Sequence, residues 1–471
     1  MNMTYYKHLS LEITLLLCGI IFYFLFSIAP ANETSVSSAA ITQLFIFIYY
    51  FCILGKKAGT FFSSYAVFLI VFYLFQNGQV LLYALNIPFD TFYVDKYSSR
   101  ILLDSVIFST LCLISAFGAS IFSLNKSPND IIQKNGNQLN PKNVLAVSKK
   151  GFFFLGIVAL PLMFVKFYIC ATTGYFMMIK FAETVPSILK MIEKLFLAFS
   201  VLSLVYSDRK SRWYKIITII ILIWSLLAVF SGDRTVGLAG IAMLLLYRSN
   251  TNGVKLSFIK RVKKYTFFIF VGLGILYLIN IAFSFRMQEQ VETHSVYDTV
   301  IDAISQLGFS FFPLVLMMDV CPSVHSFQYG KTFIGGLVYG LIPSNIDFFG
   351  ITETFEEWSS GPTSWIDQDF NYNFGIDFSL IAECWVNFGW YGWIAMFFLC
   401  VVIAKLLRNV DFMNKDNKFS QYTSLILMYS WFTLPRRKSY FIFNNWFWYI
   451  LVVAILLLIF CRKRKNASSY E

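Results

Sequence analysis

Glu383 and Asn387 lie one helical turn apart, with Asp377 near two turns before Glu383, in the aromatic-rich stretch NFGIDFSLIAECWVNFGWYGW at 373–393. Residues four apart share a helix face. A carboxyl group in apolar surroundings is desolvated, which disfavours its charged form unless a cation pairs with it. Glu383 therefore suits a proton acceptor facing a hydroxyl group, with a structural ion pair to an arginine as the alternative. A second candidate is SGDRT at 231–235, where Gly232, Asp233 and Arg234 sit between two apolar runs. These residues could simply make a hairpin turn and a local ion pair. The following run, Val236 to Tyr247, is short for a membrane span, which would leave Asp233 and Arg234 slightly below the surface. An ionisable group at that depth is costly and by default functional.

The third set is cationic: Arg286, with Lys331 further along, and Arg436, Arg437 and Lys438 in PRRKS at 435–439. Each alone could be a side chain snorkelling to lipid headgroups. Together with Arg234 they supply several guanidiniums, which grip phosphate bidentately and stay charged in a half-dry site. Such a set suits a pyrophosphate leaving group better than a neutral ligand. Trp358, Trp365, Phe370 and Tyr372 could stack on the apolar faces of sugar rings, although aromatic residues are also routine membrane-interface anchors. The DQD at Asp367–Asp369 looks like a metal-binding carboxylate pair, but chance supplies such a triplet in an acidic stretch and no metal is assigned to it. YGKT at 329–332 lacks P-loop spacing.

These residues need membrane helices to position them. Of the 471 residues, 57% are hydrophobic, 19% aromatic and only 14% charged, the composition of an all-α polytopic membrane protein. A membrane-length window finds about twelve transmembrane helices, centred near residues 17, 46, 68, 108, 158, 197, 220, 242, 273, 395, 427 and 453. Alternation then places most Lys and Arg on the cytoplasmic side, in 126–150, 209–215, 248–264, 405–418 and the C-terminal RKRK, with both termini cytoplasmic. PRRKS falls outside. The last span, 441–460, has basic clusters at both ends, and the one stranded outside suggests an anionic ligand such as a lipid-linked phosphate. The net charge of +12 follows from this topology, and no nucleic-acid role is assigned.

Spans are evenly spaced except between residues 286 and 375, which predicts three segments: N-terminal helices at 1–285, a large late extracytoplasmic loop at 286–375, and C-terminal helices with a cytoplasmic tail at 376–471. The loop is acidic, yet its aromatic content predicts that it folds. Residues 295–318 are expected to form an amphipathic helix lying across or partly within the membrane surface. No internal repeat of the transporter type is present. Seven of eight cysteines sit in or beside apolar spans, so no disulfide framework is expected. The three histidines, His8, His294 and His325, lack ligand spacing, and no metal site is expected around them. The first apolar run, ending near Ala29-Pro30-Ala31, is long for a signal peptide and is expected to remain as a helix.

The order of these features resembles the O-antigen polymerase (Wzy-type) family of oligosaccharide repeat-unit polymerases: GDRT before a short helix, Arg286 after a span, a late loop with GLIPSN, then IAECWVNFGWYGW. The nearest likeness is Ala382, Glu383, Asn387, Phe388, Gly389 and Gly392, where the family shows an acidic residue followed by NFG-x-x-G. The resemblance implies a GT-C-like glycosyltransferase of the bacterial cytoplasmic membrane, joining undecaprenyl-diphosphate-linked oligosaccharides into O-antigen lipopolysaccharide or capsule on the periplasmic face. It implies no cofactor, nucleotide sugar or metal, and a chain-length regulator as protein partner. Arg234, Arg286, Arg436 and Arg437 would bind the diphosphate, with Asn387, Trp358 and Trp365 also in the substrate site. Glu383, or alternatively Asp233 or His325, would take the acceptor proton. The family's loop carries a proline-basic pair where this chain has Pro343 followed by Ser344 and Asn345. A lipid-linked oligosaccharide flippase and an O-antigen ligase are the alternatives.

Overall fold

A computed structural model of the chain describes residues 3–58, 61, 63–89, 96–124, 140–249, 258–287, 295–342, 350–370, 378–411 and 418–462. Every regular element among them is helical. Nine helices among the described residues are long and apolar enough to cross a membrane: Ser10–Ser27, Glu33–Lys56, Ser64–Ala84, Ser99–Ile121, Pro141–Thr173, Arg212–Phe230, Val296–Val320, Leu380–Leu407 and Tyr440–Cys461. The chain is thus an all-α, multi-pass membrane protein.

Eight of these nine fall where the hydropathy of the sequence predicts spans. The other four expected spans are helical but shorter or more charged. The Ser187–Tyr206 helix carries Lys190, Glu193 and Lys194, the apolar runs Val236–Arg248 and Phe270–Phe285 are shorter, and Lys418–Thr433 has 16 residues. The ninth, Val296–Val320, coincides with the helix expected at 295–318 inside the 286–375 segment. Its charges cluster at Asp298 and Asp302, and from Ala303 to Val320 only Asp319 is ionisable. The same segment also forms the helices Lys331–Leu341 and Ile351–Phe370.

The chain divides into two compact units, each assembled from separated stretches. The first comprises residues 1–132, 304–408 and 434–443. Its core is built on Ser64–Ala84 and Ser99–Ile121, which bury Phe68, Leu69, Phe72, Leu103, Phe108 and Phe117. Gly78 and Gly308 allow helix backbones to touch. A Cβ on Gly308 would lie 2.3 Å from the Gln79 nitrogen, and one on Gly78 would lie 2.9 Å from the Ile304 carbonyl. Small residues at such crossings are the usual device of membrane helices. Ser10–Ser27 leaves Ile13, Leu16, Leu17, Ile20, Ile21 and Phe24 exposed, an apolar face suited to lipid.

The second unit comprises residues 133–303, 409–433 and 444–471. Here Gly151 and Gly156 pack against the rings of Phe199 and Phe196. A hairpin joins Arg212–Phe230 to Arg234–Ser249. Its tightness depends on Gly237, whose Cβ would meet the Ser225 carbonyl at 2.3 Å.

Candidate functional site

The first unit gathers Glu383, Asn387 and the PRRKS segment. Ser379 starts the Leu380–Phe388 helix by accepting the Ala382 N–H on its hydroxyl, an ordinary N-cap. Glu383 falls in the first turn, where the helix dipole favours a carboxylate. The helix ends at Gly389, whose φ of +53° favours glycine. A Cβ there would lie 2.8 Å from the Phe327 ring, and one on Gly392 would lie 2.5 Å from the Cys384 carbonyl. The NFG-x-x-G pattern is therefore a packing requirement of the turn that follows Asn387.

Glu383 is 1% exposed and Asn387 fully buried. The Glu383 carboxylate accepts three hydrogen bonds: the Ser439 N–H to Oε2 at 2.7 Å, the Ser439 hydroxyl to Oε1 at 2.7 Å, and the Thr332 hydroxyl to Oε1 at 3.0 Å. Asn387 Nδ2 donates to Thr332 Oγ1 at 2.6 Å and to the Glu383 carbonyl at 2.7 Å, while its Oδ1 accepts the Gly330 N–H at 2.9 Å. The strap 325–332 also closes the end of this helix, with the Gln328 and Tyr329 N–H groups donating to the carbonyls of Val386 and Asn387. These carbonyls have no partner within the helix itself. Among the described residues no arginine hydrogen-bonds to Glu383; Lys438 is the cation whose charge reaches it.

The basic turn is held at both ends. Gln76, fully buried in the Ser64–Ala84 helix, donates its Nε2–H to the Pro435 carbonyl at 2.5 Å. Glu383 holds Ser439 at the other end. Between them Arg436, Arg437 and Lys438 are half-buried. Arg437 lies over the Phe441 ring at 4.6 Å, and Lys438 Nζ donates to the Ser359 carbonyl at 3.3 Å. Two adjacent glycines bring the Lys331–Leu341 helix this close. A Cβ on Gly336 would sit 3.2 Å from Ser439 Oγ, and one on Gly335 would sit 2.8 Å from the Phe355 carbonyl and from Trp358 Cβ.

On the same strap, His325 Nε2 is 2.7 Å from Asp369 Oδ2, and its ring stacks on Trp365 with centroids 4.1 Å apart and planes 6° from parallel. Four residues earlier, burial and the nearby Asp369 charge push the Cys321 thiol up to about 12. Trp358 packs edge-on against Phe355. Tyr339 donates to Glu356 at 2.8 Å and stacks on Tyr440.

The second unit holds SGDRT. Gly232 has φ +102°, and a Cβ there would collide with the Tyr175 ring, so the glycine is needed for the hairpin. Asp233 is exposed, with its N–H donated to the Ala228 carbonyl. Arg234 opens one helix and Arg286 lies near the end of another; both side chains, and that of Asp367, lie outside the described residues. So do Pro343–Asn345, Tyr372 and Asp377.

Reasoning from sequence misses two polar sets. Lys166 and Glu193 form an ion pair at 2.5 Å between two apolar helices of the second unit. In the first unit Gln43, Gln76, Asn77 and Gln79 are buried; Gln43 donates to Asn77 at 2.8 Å and to Ser109 at 3.0 Å. The signal for this second set is QNGQ at 76–79, amides inside a span where polar groups are rare.

Fold and site together define a multi-pass membrane protein that fixes a cationic turn with buried polar side chains. Residues 13–466, nearly the whole chain, match the family described as O-antigen polysaccharide polymerase Wzy, and the chain belongs to that family. At family level its activity is polymerisation of O-antigen repeat units, a glycosyltransferase-type reaction on lipid-linked oligosaccharide. No curated protein and no solved structure matches the chain.

Proposed function

We propose that this chain joins undecaprenyl-diphosphate-linked repeat units into a surface polysaccharide, O-antigen or capsule, on the outer face of the bacterial cytoplasmic membrane. What supports this most is the basic turn, anchored at Pro435 by Gln76 and at Ser439 by Glu383. Burying polar side chains among membrane helices is costly. Here two of them fix the backbone on either side of Arg436, Arg437 and Lys438. Fixed guanidiniums stabilise the charge that develops on a diphosphate as the glycosidic bond breaks, without reorganising at that moment.

With both carboxylate oxygens already accepting hydrogen bonds, Glu383 serves to hold the turn, and Asn387 holds the strap beside it. Arg234 and Arg286 keep their proposed role in binding diphosphate, Asp233 and His325 stay as the alternative proton acceptors, and Trp358 and Trp365 keep that of stacking surfaces for sugar rings. The arrangement in the membrane that goes with this proposal is GT-C-like, with both termini cytoplasmic.

The test is the length distribution of surface polysaccharide in a strain lacking the chain, complemented with wild type, Arg286→Ala or Arg436→Ala/Arg437→Ala. Wild type should restore the ladder. The variants should leave single repeat units on the final acceptor while inserting normally in the membrane. Long chains stranded on the carrier lipid would instead identify a ligase, and carrier accumulating on the cytoplasmic side a flippase.

A further inference from the structure

The strap that binds Asn387 through Gly330 also carries His325, whose environment is unlike that of a surface histidine. A carboxylate can only accept hydrogen bonds, so the 2.7 Å contact from Nε2 to Asp369 fixes the proton on Nε2 in the neutral ring. Nδ1 then carries the lone pair, and it has no hydrogen-bond partner among the described residues. The side chain is 23% exposed, which leaves room for a hydroxyl group to approach. The stack on Trp365 prevents the ring from swinging away. Both Trp365 and Asp369 project from the Ile351–Phe370 helix, which packs closely on Gly335 of the Lys331–Leu341 helix.

We infer that His325 takes the proton from the acceptor hydroxyl, with Asp369 as its positioning residue. This rests on the polymerase proposal above and selects His325, rather than Asp233, as its proton acceptor. The hydroxyl oxygen of the acceptor sugar forms a bond to the anomeric carbon of the donor. The bond from that carbon to the diphosphate oxygen breaks, and the diphosphate leaves with the electron pair. The hydroxyl proton passes to His325 Nδ1, and the Asp369 carboxylate faces the imidazolium that results. Asp369 on the facing helix is the charged group in contact with the ring, and Cys321, four residues before His325, lies close enough to Asp369 to feel its charge.

The test uses the full-length protein in lipid bilayers and, as substrate, lipid-linked single repeat units extracted from a strain lacking the chain. The rate of polymer formation is followed as a function of pH. Wild type should slow on acidification, because a general base that has gained a proton can no longer accept one. His325→Gln should polymerise about 100-fold more slowly or worse, lose that acid inflection, and still retain the lipid-linked unit. Imidazole added to His325→Ala should restore part of the rate. Asp369→Asn should slow the reaction without abolishing the inflection. A His325→Gln rate within about twofold of wild type, against the loss expected for a general base, would overturn the assignment. So would a wild-type rate independent of pH, a result that needs no variant to fold. Failure of wild type to extend the units at all would instead count against the polymerase proposal.

Discussion

Ser439 gives both its backbone N–H and its hydroxyl to the buried carboxylate of Glu383, each at 2.7 Å. One side chain thus fixes the position and the direction of the backbone where the basic turn enters its next helix. Glu383→Ala would leave those donors and the Thr332 hydroxyl without an acceptor in a dry site. It should lower stability by about 2–3 kcal/mol, the scale of a lost hydrogen bond to a charged group. Thermal unfolding in detergent reads the stability, and the polysaccharide ladder should collapse. An Ala variant as stable and active as wild type would remove Glu383 from this role.

Gln76 anchors the opposite end of the turn through the Pro435 carbonyl. Gln76→Leu removes the donor while keeping the helix apolar, and should cost about 1 kcal/mol. The expected phenotype is a shortened ladder at normal protein level. Gln76→Leu with full-length polymer would show that one anchor is enough.

Gly335 and Gly336 differ in how closely their neighbours approach. The nearest atoms to a Cβ are a backbone oxygen and a side-chain Cβ at 2.8 Å for Gly335, but lie at 3.1–3.2 Å for Gly336. Gly335→Ala must therefore separate two helices and should destabilise by about 1–3 kcal/mol, the range of overpacked sites. Gly336→Ala should be milder in melting temperature yet still shorten the polymer, because it presses on Ser439. Equal melting temperatures for the two variants would contradict the packing described.

Sidedness can be read at the segment leading into the strap. Ser323 is exposed, whereas Cys321 is buried and its thiol, pushed up to about 12, stays protonated and unreactive at neutral pH. Ser323→Cys should react with a membrane-impermeant maleimide added to intact spheroplasts, above the background of the unmodified protein. Labelling only after the cells are opened would place this segment on the cytoplasmic side and count against the outer-face proposal.

The class of the protein is legible without coordinates, because membrane helices announce themselves through local apolar length, and eight of the nine span-length helices can be read in this way. Glu383, Asn387, Arg436 and Arg437 stand out as well, since charges and amides are conspicuous among aromatic residues. No inspection of the sequence shows that Glu383 meets Ser439, that Gln76 meets Pro435, or that His325 meets Asp369. Those contacts join residues 56, 359 and 44 positions apart. A hydrogen bond depends on positions in space, and for partners this distant only the packing of the helices brings donor and acceptor within reach. Within the acidic segment 286–375 the helix at 295–318 is legible from its apolar spacing, but its glycine crossing with Ser64–Ala84 is visible only once the chain is folded.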